Sequence, residues 1–257
     1  MDNTRMRTAF VTGTSSGLGQ GLAEALLEDG WEAYGCSRRE NHPTGLHHVQ
    51  IDLTDHAALP TALDRLLGGL ERLDLVVLNA GMLGEIRKLV ETPLGDIKEI
   101  MEVNVWANKA VMDWLHAWGR PVGQVIMISS GAAVLGNKGW GGYALSKAAL
   151  NMLARLYAHE FPDTHISAVA PGIIDTPMMD HLCEEADAEE FPALKRFRNA
   201  RGTEAMPSPR EAAERLLSVL DDLRTRPSGS FIDIREILDP EAYARLYAKP
   251  STGKAID

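Results

Sequence analysis

The chain of 257 residues has 36 acidic and 26 basic side chains, a formal charge of −10, with 45% hydrophobic and 24% charged residues. That is enough apolar material for one sizeable core, and it excludes a disordered, collagenous or disulfide-built chain. The acidity argues against nucleic acid and anionic membranes and for a small-molecule partner, and two cysteines, Cys36 and Cys183, suit a reducing, cytoplasmic setting.

In chain order, strand and helix patterns alternate. Residues 8–12 predict a strand, 18–27 a helix and 32–36 a second strand, with further strands at 48–51, 73–78, 124–129, 166–169 and 230–234. Helices are expected over 97–118 and from Tyr143 to Tyr157. This rhythm predicts a single α/β domain spanning 1–257, a doubly wound, mostly parallel seven-stranded sheet with helices on both faces. Only 177–209 breaks it, with charged clusters in place of regular alternation, and reads as a substrate-loop insertion whose 184–190 stretch is a solvated face.

The first strand runs into Thr12-Gly13-Thr14-Ser15-Ser16-Gly17-Leu18-Gly19 and then a helix. Glycines there permit a sharp turn and close backbone approach, and the helix N-terminus favours a pyrophosphate, with Ser15 and Ser16 adding hydroxyls. The rival reading of Gly13-x-Ser15-x-Gly17 as a hydrolase nucleophile elbow lacks the strands that precede such an elbow. At the end of the second strand, where an NAD-binding fold places an acid, stand Ser37 and Arg38; a small residue beside a guanidinium favours NADP(H), with NAD(H) as the alternative.

Tyr143 and Lys147 lie one helical turn apart, so the ammonium is expected to lower the phenol's pKa. Ser130 ends a strand, at the edge of the sheet where ligands bind in such folds, and Asn79-Ala80-Gly81 closes another. Asn104 falls within a helix. Together, Thr12-Gly13-x-x-x-Gly17-x-Gly19, Asn79-Ala80-Gly81, Asn104, Ser130, Tyr143-x-x-x-Lys147 and Pro171-Gly172 resemble the short-chain dehydrogenase/reductase family, from about residue 5 to about residue 235.

The resemblance implies a Rossmann fold and roles by position. Tyr143 would donate a proton to a carbonyl oxygen that Ser130 hydrogen-bonds, Lys147 would bind the nicotinamide ribose and tune the phenol, and Asn104 would hold a relay water. Asp52 and Leu53 would meet the adenine, Asn79, Ala80 and Gly81 the adenosine side, and Ile174 and Thr176 the carboxamide and phosphate. The implied activity is NADPH-dependent reduction of a ketone or aldehyde. The alternatives are an alcohol dehydrogenase working oxidatively and a non-catalytic cofactor sensor.

Two departures stand out: single Asn79 where the family often has a pair, and Ala170 where Asn is common. The C-terminal strand continues into Arg235-Glu236-Ile237-Leu238, which speaks against tetramer contacts through that end and resembles the sepiapterin-reductase and benzil-reductase branch. Leu135, Trp140, Met178, Met179, Leu182 and Phe191 are candidate walls for a bulky apolar ketone. The helix after Tyr143 is apolar nearly all round and needs burial beyond one sheet face, and the Trp106, Ala110, Trp114, Trp118 stripe before it reads by itself as core packing; because the family pairs these two helices across a dimer interface, the resemblance implies a homodimer or homotetramer. The histidines have no ligand spacing, so no metal is expected, and no apolar run reaches the ~18 residues of a membrane span.

Overall fold

The computed structural model describes residues 5–180, 182–183 and 188–248. Its sheet is built from β1 (Thr8–Thr12), β2 (Glu32–Ser37), β3 (His47–Gln50), β4 (Leu73–Leu78), β5 (Val122–Ile128), β6 (His165–Ala170) and β7 (Ser230–Asp233). The order is β3-β2-β1-β4-β5-β6-β7, every pair parallel. The order reverses beside β1, and that switch opens a crevice at the strands' C-terminal ends. Central strands read as unbroken apolar runs because both faces are covered: all five residues of β1 are buried.

One face is packed by α1 (Gly17–Glu28), α9 (Pro209–Ser218) and α10 (Leu220–Arg224), around Leu22, Leu26, Val77, Ile126 and Leu216. The other carries α2 (Leu59–Leu67), α4 (Ala107–Trp118) and α6 (Gly141–Glu160), around Phe10, Leu63, Val76, Met112 and Leu150. The fold is therefore the single doubly wound α/β domain expected.

Where one helix was expected over 97–118, α3 (Leu94–Met101) and α4 are joined by a wide π-turn over Glu102–Trp106. Hydrogen bonds from the turn explain the break: Asn104 is fully buried and clamps the loop after β4. The tryptophan stripe divides as well. Trp114 is buried and its Nε1 donates to Asp64 (2.9 Å), whereas Trp106 is exposed. Helix α6 starts two residues before Tyr143 and leaves Leu145, Met152 and Leu156 half exposed along one stripe.

Within the expected insertion lie α7 (Pro177–Asp180) and α8 (Ala193–Ala200), whose Leu194 and Phe197 join Trp140 and Phe191 in a third apolar cluster. Of the expected solvated stretch, 184–187 fall outside the described residues. The short α5 (Ala132–Leu135) follows β5, and after β7 come α11 (Arg235–Leu238) and α12 (Pro240–Tyr247). Among the described residues no helix is long and apolar enough to cross a membrane, and no group of three His, Cys, Asp or Glu side chains is placed to hold a metal.

Candidate active site

A cleft of about 830 Å³ follows the C-terminal ends of the strands. Its floor starts at the glycine turn. Gly13 has φ +79° and donates its N–H to Cys36 O (2.8 Å); a Cβ there would stand 3.0 Å from Asn79 Nδ2. Gly19 does not reach the wall: it supports the turn, because a Cβ on it would lie 2.3 Å from Gly13 O. Asn79 locks this corner, its N–H bonding Thr12 Oγ1 and its Nδ2 bonding Thr12 O, both at 2.9 Å. The backbone of this corner is thus fixed at the point where a ligand's pyrophosphate would need bare amides.

Ser15, Ser16, Gly17, Leu18, Ser37, Arg38, Asp52, Leu53, Asn79, Ala80 and Gly81 line this half of the cleft, and Pro171, Gly172, Ile174 and Thr176 face them. Thr176 is close enough that a Cβ on Gly17 would touch its methyl at 3.3 Å. Asp52 accepts from Thr54 N (3.0 Å) and Thr54 Oγ1 (2.8 Å); the backbone bond, with help from Arg38, holds its carboxyl below the usual range. The Ser37 hydroxyl is used internally, donating to Arg39 O (2.6 Å). Arg39, missed in the sequence, folds back over the turn and donates to Ser15 Oγ (3.2 Å) and Ser16 Oγ (2.9 Å). Its adjacency to Arg38 was the one available signal. Ser15 meets no histidine among the described residues, so the elbow reading has no base.

At the centre, Ser130, Tyr143 and Lys147 come together. Ser130 Oγ accepts from Ala132 N (3.1 Å), and Ser130 stands near enough to the Tyr143 phenol to lower its pKa. Lys147 is buried, donates to Ile128 O (2.7 Å), and its Nζ lies 5.6 Å from the Tyr143 ring centroid. Burial lowers Lys147 to about 8. It also pushes the Tyr143 phenol up to about 12, against a lowering effect of nearby Ser130. The expected lowering by Lys147 is therefore corrected for the chain alone: desolvation outweighs the ammonium, whose bond goes to a backbone carbonyl.

Asn104 stays behind this centre instead of lining the cleft. Its Oδ1 accepts from Met82 N and its Nδ2 donates to Met82 O, both at 2.8 Å, and to Ser146 Oγ at 2.9 Å. Its own carbonyl takes the Asn108 Nδ2 (2.8 Å). A side chain so occupied holds the loop carrying Gly81 and Met82.

Beyond Tyr143 the cleft widens against Leu135, Trp140, Met178, Met179 and Leu182, all lining it as expected. Phe191 does not line it; it is buried in the cluster behind, with Lys138 Nζ 5.5 Å from its ring. Among the lining residues not foreseen are Arg196 of α8, Arg235 of α11 and Leu246 of α12. The tail rises over the site, with Tyr247 Oη 3.1 Å from where a Cβ on Gly131 would stand. The only hint was the unusual Arg235-Glu236-Ile237-Leu238 ending.

Known proteins resemble this chain in sequence and in fold. A family model described as short chain dehydrogenase matches residues 7–187. Benzil reductase ((S)-benzoin forming) of Bacillus subtilis is 30% identical over 247 residues, covering 91% of this chain and 100% of that protein. An uncharacterized oxidoreductase of Schizosaccharomyces pombe is 27% identical over 91% of this chain and 98% of its own length. Among solved structures, a short chain dehydrogenase/reductase from Saccharomyces cerevisiae superposes with TM-score 0.77 at 24% identity, covering 90% of this chain and 97% of that one. ElxO with NADP bound shares the fold at TM-score 0.72 and 21% identity, over 90% and 97% of the two chains. With matches of this extent, the chain belongs to the short-chain dehydrogenase family of oxidoreductases.

Proposed function

We propose that this oxidoreductase reduces a ketone or aldehyde carbonyl with NADPH, using Tyr143 as the proton donor. The observation that carries the reading is the grouping of Ser130, Tyr143 and buried Lys147 in one stretch of the cleft wall, with Lys147 Nζ 5.6 Å from the Tyr143 ring, where the glycine-lined half of the cleft meets its apolar half.

The residues present fit a dinucleotide. Gly13 leaves a bare backbone where a Cβ would crowd Asn79, and Arg38 and Arg39 stand exposed at the rim, where a guanidinium can neutralise a 2′-phosphate. When bound, the nicotinamide supplies the hydride that reaches the carbonyl carbon. The chain's share is proton handling and charge. A phenol pushed up to about 12 keeps its proton at neutral pH and delivers it to the carbonyl oxygen, which the Ser130 hydroxyl also hydrogen-bonds. Lys147, cationic below pH of about 8, stabilises the phenolate left behind. Asn104 acts through Met82, positioning the loop that faces Lys147.

The apolar walls Leu135, Trp140, Met178 and Met179 fit a bulky, aryl-bearing ketone, in keeping with the benzil reductases of Bacillus subtilis and Saccharomyces cerevisiae among the relatives. The half-exposed stripe Leu145, Met152 and Leu156 on α6 supports a homodimer, or a homotetramer, formed through that helix; a monomeric mass by light scattering at micromolar concentration would remove that part.

The test follows absorbance of NADPH and NADH with a panel of aromatic ketones and diketones, in the wild type and Tyr143→Phe. NADPH-dependent turnover is expected, falling at least about 1,000-fold in the variant while NADPH still binds. Undiminished turnover by Tyr143→Phe would sink the assignment.

A further inference from the structure

Past the Ser130–Tyr143 pair the cleft is not apolar throughout, because two guanidiniums, Arg196 and Arg235, stand in its wall. Arg235 lies beside the centre: its Nη2 is 4.0 Å from where a Cβ on Gly131 would stand, one residue after Ser130. Its charge is answered within the protein. The carboxylate of Asp233, with no side-chain exposure, accepts from Arg235 N (3.1 Å), Arg235 Nε (2.8 Å) and Arg235 Nη2, and from the Tyr247 hydroxyl (2.9 Å). Asp239, which also acts on Arg235, is engaged in capping α12 by accepting from Ala242 N (2.9 Å).

Arg196 has no such answer. It makes no salt bridge among the described residues, and its guanidinium carbon, on an exposed side chain that lines the cleft, sits 5.2 Å from the Phe197 ring centroid. Partial desolvation against the cleft wall, and next the charge of Arg235, outweigh the pull of Tyr247 and Asp233 and hold its pKa below the ordinary guanidinium value. So this wall presents two cations, one of them tied to the buried Asp233 carboxylate and the other free of any carboxylate bond, in a chain of net charge −10 where acidic partners are plentiful. A guanidinium that lies against the Phe197 ring, is crowded by a second cation and has no carboxylate bonded to it gains when an anion enters. Its fork geometry matches carboxylate and phosphate oxygens.

We propose that the substrate is a carbonyl compound carrying an oxyanion, a carboxylate or a phosphate, a few bonds beyond the reacting carbonyl, and that Arg196 binds this group with Arg235 behind it. The proposal rests on the carbonyl-reductase reading and narrows it, from neutral aromatic ketones to anionic ones. Arg235, tied to Asp233 and Tyr247, holds the tail in place and adds field; Arg196 makes the contact.

The experiment compares three ketones of one shape with NADPH: para-acetylbenzoate, para-acetylphenyl phosphate and the neutral para-acetylbenzamide. In the wild type, kcat/KM for at least one anion should exceed that for the amide by about tenfold or more, and Arg196→Gln should cut this ratio by about tenfold. The exposed Arg120→Gln, remote in sequence and not lining the cleft, controls for net charge and should leave the ratio as it is. Which anion gains more separates carboxylate from phosphate. Equal kcat/KM for charged and neutral ketones, or a ratio that Arg196→Gln does not move, overturns the anion site while amide turnover leaves the reductase reading standing. Thermal shifts with the same three compounds read binding alone: stabilisation by an anion that Arg196→Gln abolishes, without turnover of any ketone, would uphold the anion site and overturn the reductase reading.

Discussion

The two ends of the cleft are built differently. At the glycine turn, recognition surfaces are backbone: Gly13 is pinned to Cys36, Asn79 is pinned to Thr12, and Gly19 lies against Gly13. At the far end they are side chains drawn from separate elements, with Trp140, Met178, Arg196, Arg235 and Leu246 arriving from five stretches of chain. A site made of backbone tolerates almost no added atom at a few positions. One made of side chains can be re-lined residue by residue, so on the proposed reading the first end would hold the cofactor and the second would select the substrate.

The harshest way to break this contrast is Gly19→Ala. Its methyl would meet Gly13 O at 2.3 Å and Asn79 Nδ2 at 2.4 Å, and neither neighbour is a flexible chain end. Overpacking of this kind costs roughly 1–3 kcal/mol, and calorimetry should show a fall in Tm of about 2–4 °C for each of them. NADPH affinity should drop at least about 100-fold by fluorescence titration. By contrast a truncation at the far end, Leu135→Ala, should change the ranking of ketones and leave NADPH affinity within about threefold. If Leu135→Ala weakens NADPH as much as Gly19→Ala does, the two ends are not separable.

A sharper probe stays within the cofactor end. Arg38 is exposed beside Asp52, while Arg39 is folded onto Ser15 and Ser16. Arg38→Asp places a carboxylate where a 2′-phosphate would sit and offers the ribose hydroxyls an acceptor. The ratio of kcat/KM for NADPH to that for NADH should fall about 30-fold or more; an unchanged ratio would shift the phosphate contact to Arg39.

The same division governs how much could be read without coordinates. Strand–helix alternation and the spacing from Gly13 to Gly19 are local, so the sheet, its parallel pairing and the glycine corner were legible, as was Tyr143 with Lys147 one turn on. What escaped is non-local or energetic. Arg39 reaches back 24 residues to Ser15, and Tyr247 closes on Gly131 from the other end of the chain. Asn104 interrupts its helix because Met82 and Ser146, met only in the folded chain, take up its amide. The direction of the Tyr143 shift escaped for another reason: spacing shows that an ammonium is near but not how dry the pocket is, and dryness decides the sign.

Lys147 joins the two ends and gives the gentlest test. Its pKa is about 8 in the folded chain against an ordinary 10.5, so carbonyl reduction should decline as pH rises through about 8, where the cation beside Tyr143 is lost. Stability moves oppositely. Below pH of about 8 the group is charged both folded and unfolded, and the full burial penalty opposes folding. Between about 8 and 10.5 only the unfolded chain holds the proton, and the penalty fades as pH climbs. Lys147→Met removes that penalty but also the bond to Ile128 O, worth about 1 kcal/mol. The variant should therefore be inactive yet melt a few degrees higher than the wild type at pH 7, with the difference shrinking toward pH 10. A variant that melts lower at pH 7 would mean that the ammonium, even undressed of water, is held in place by more than it costs.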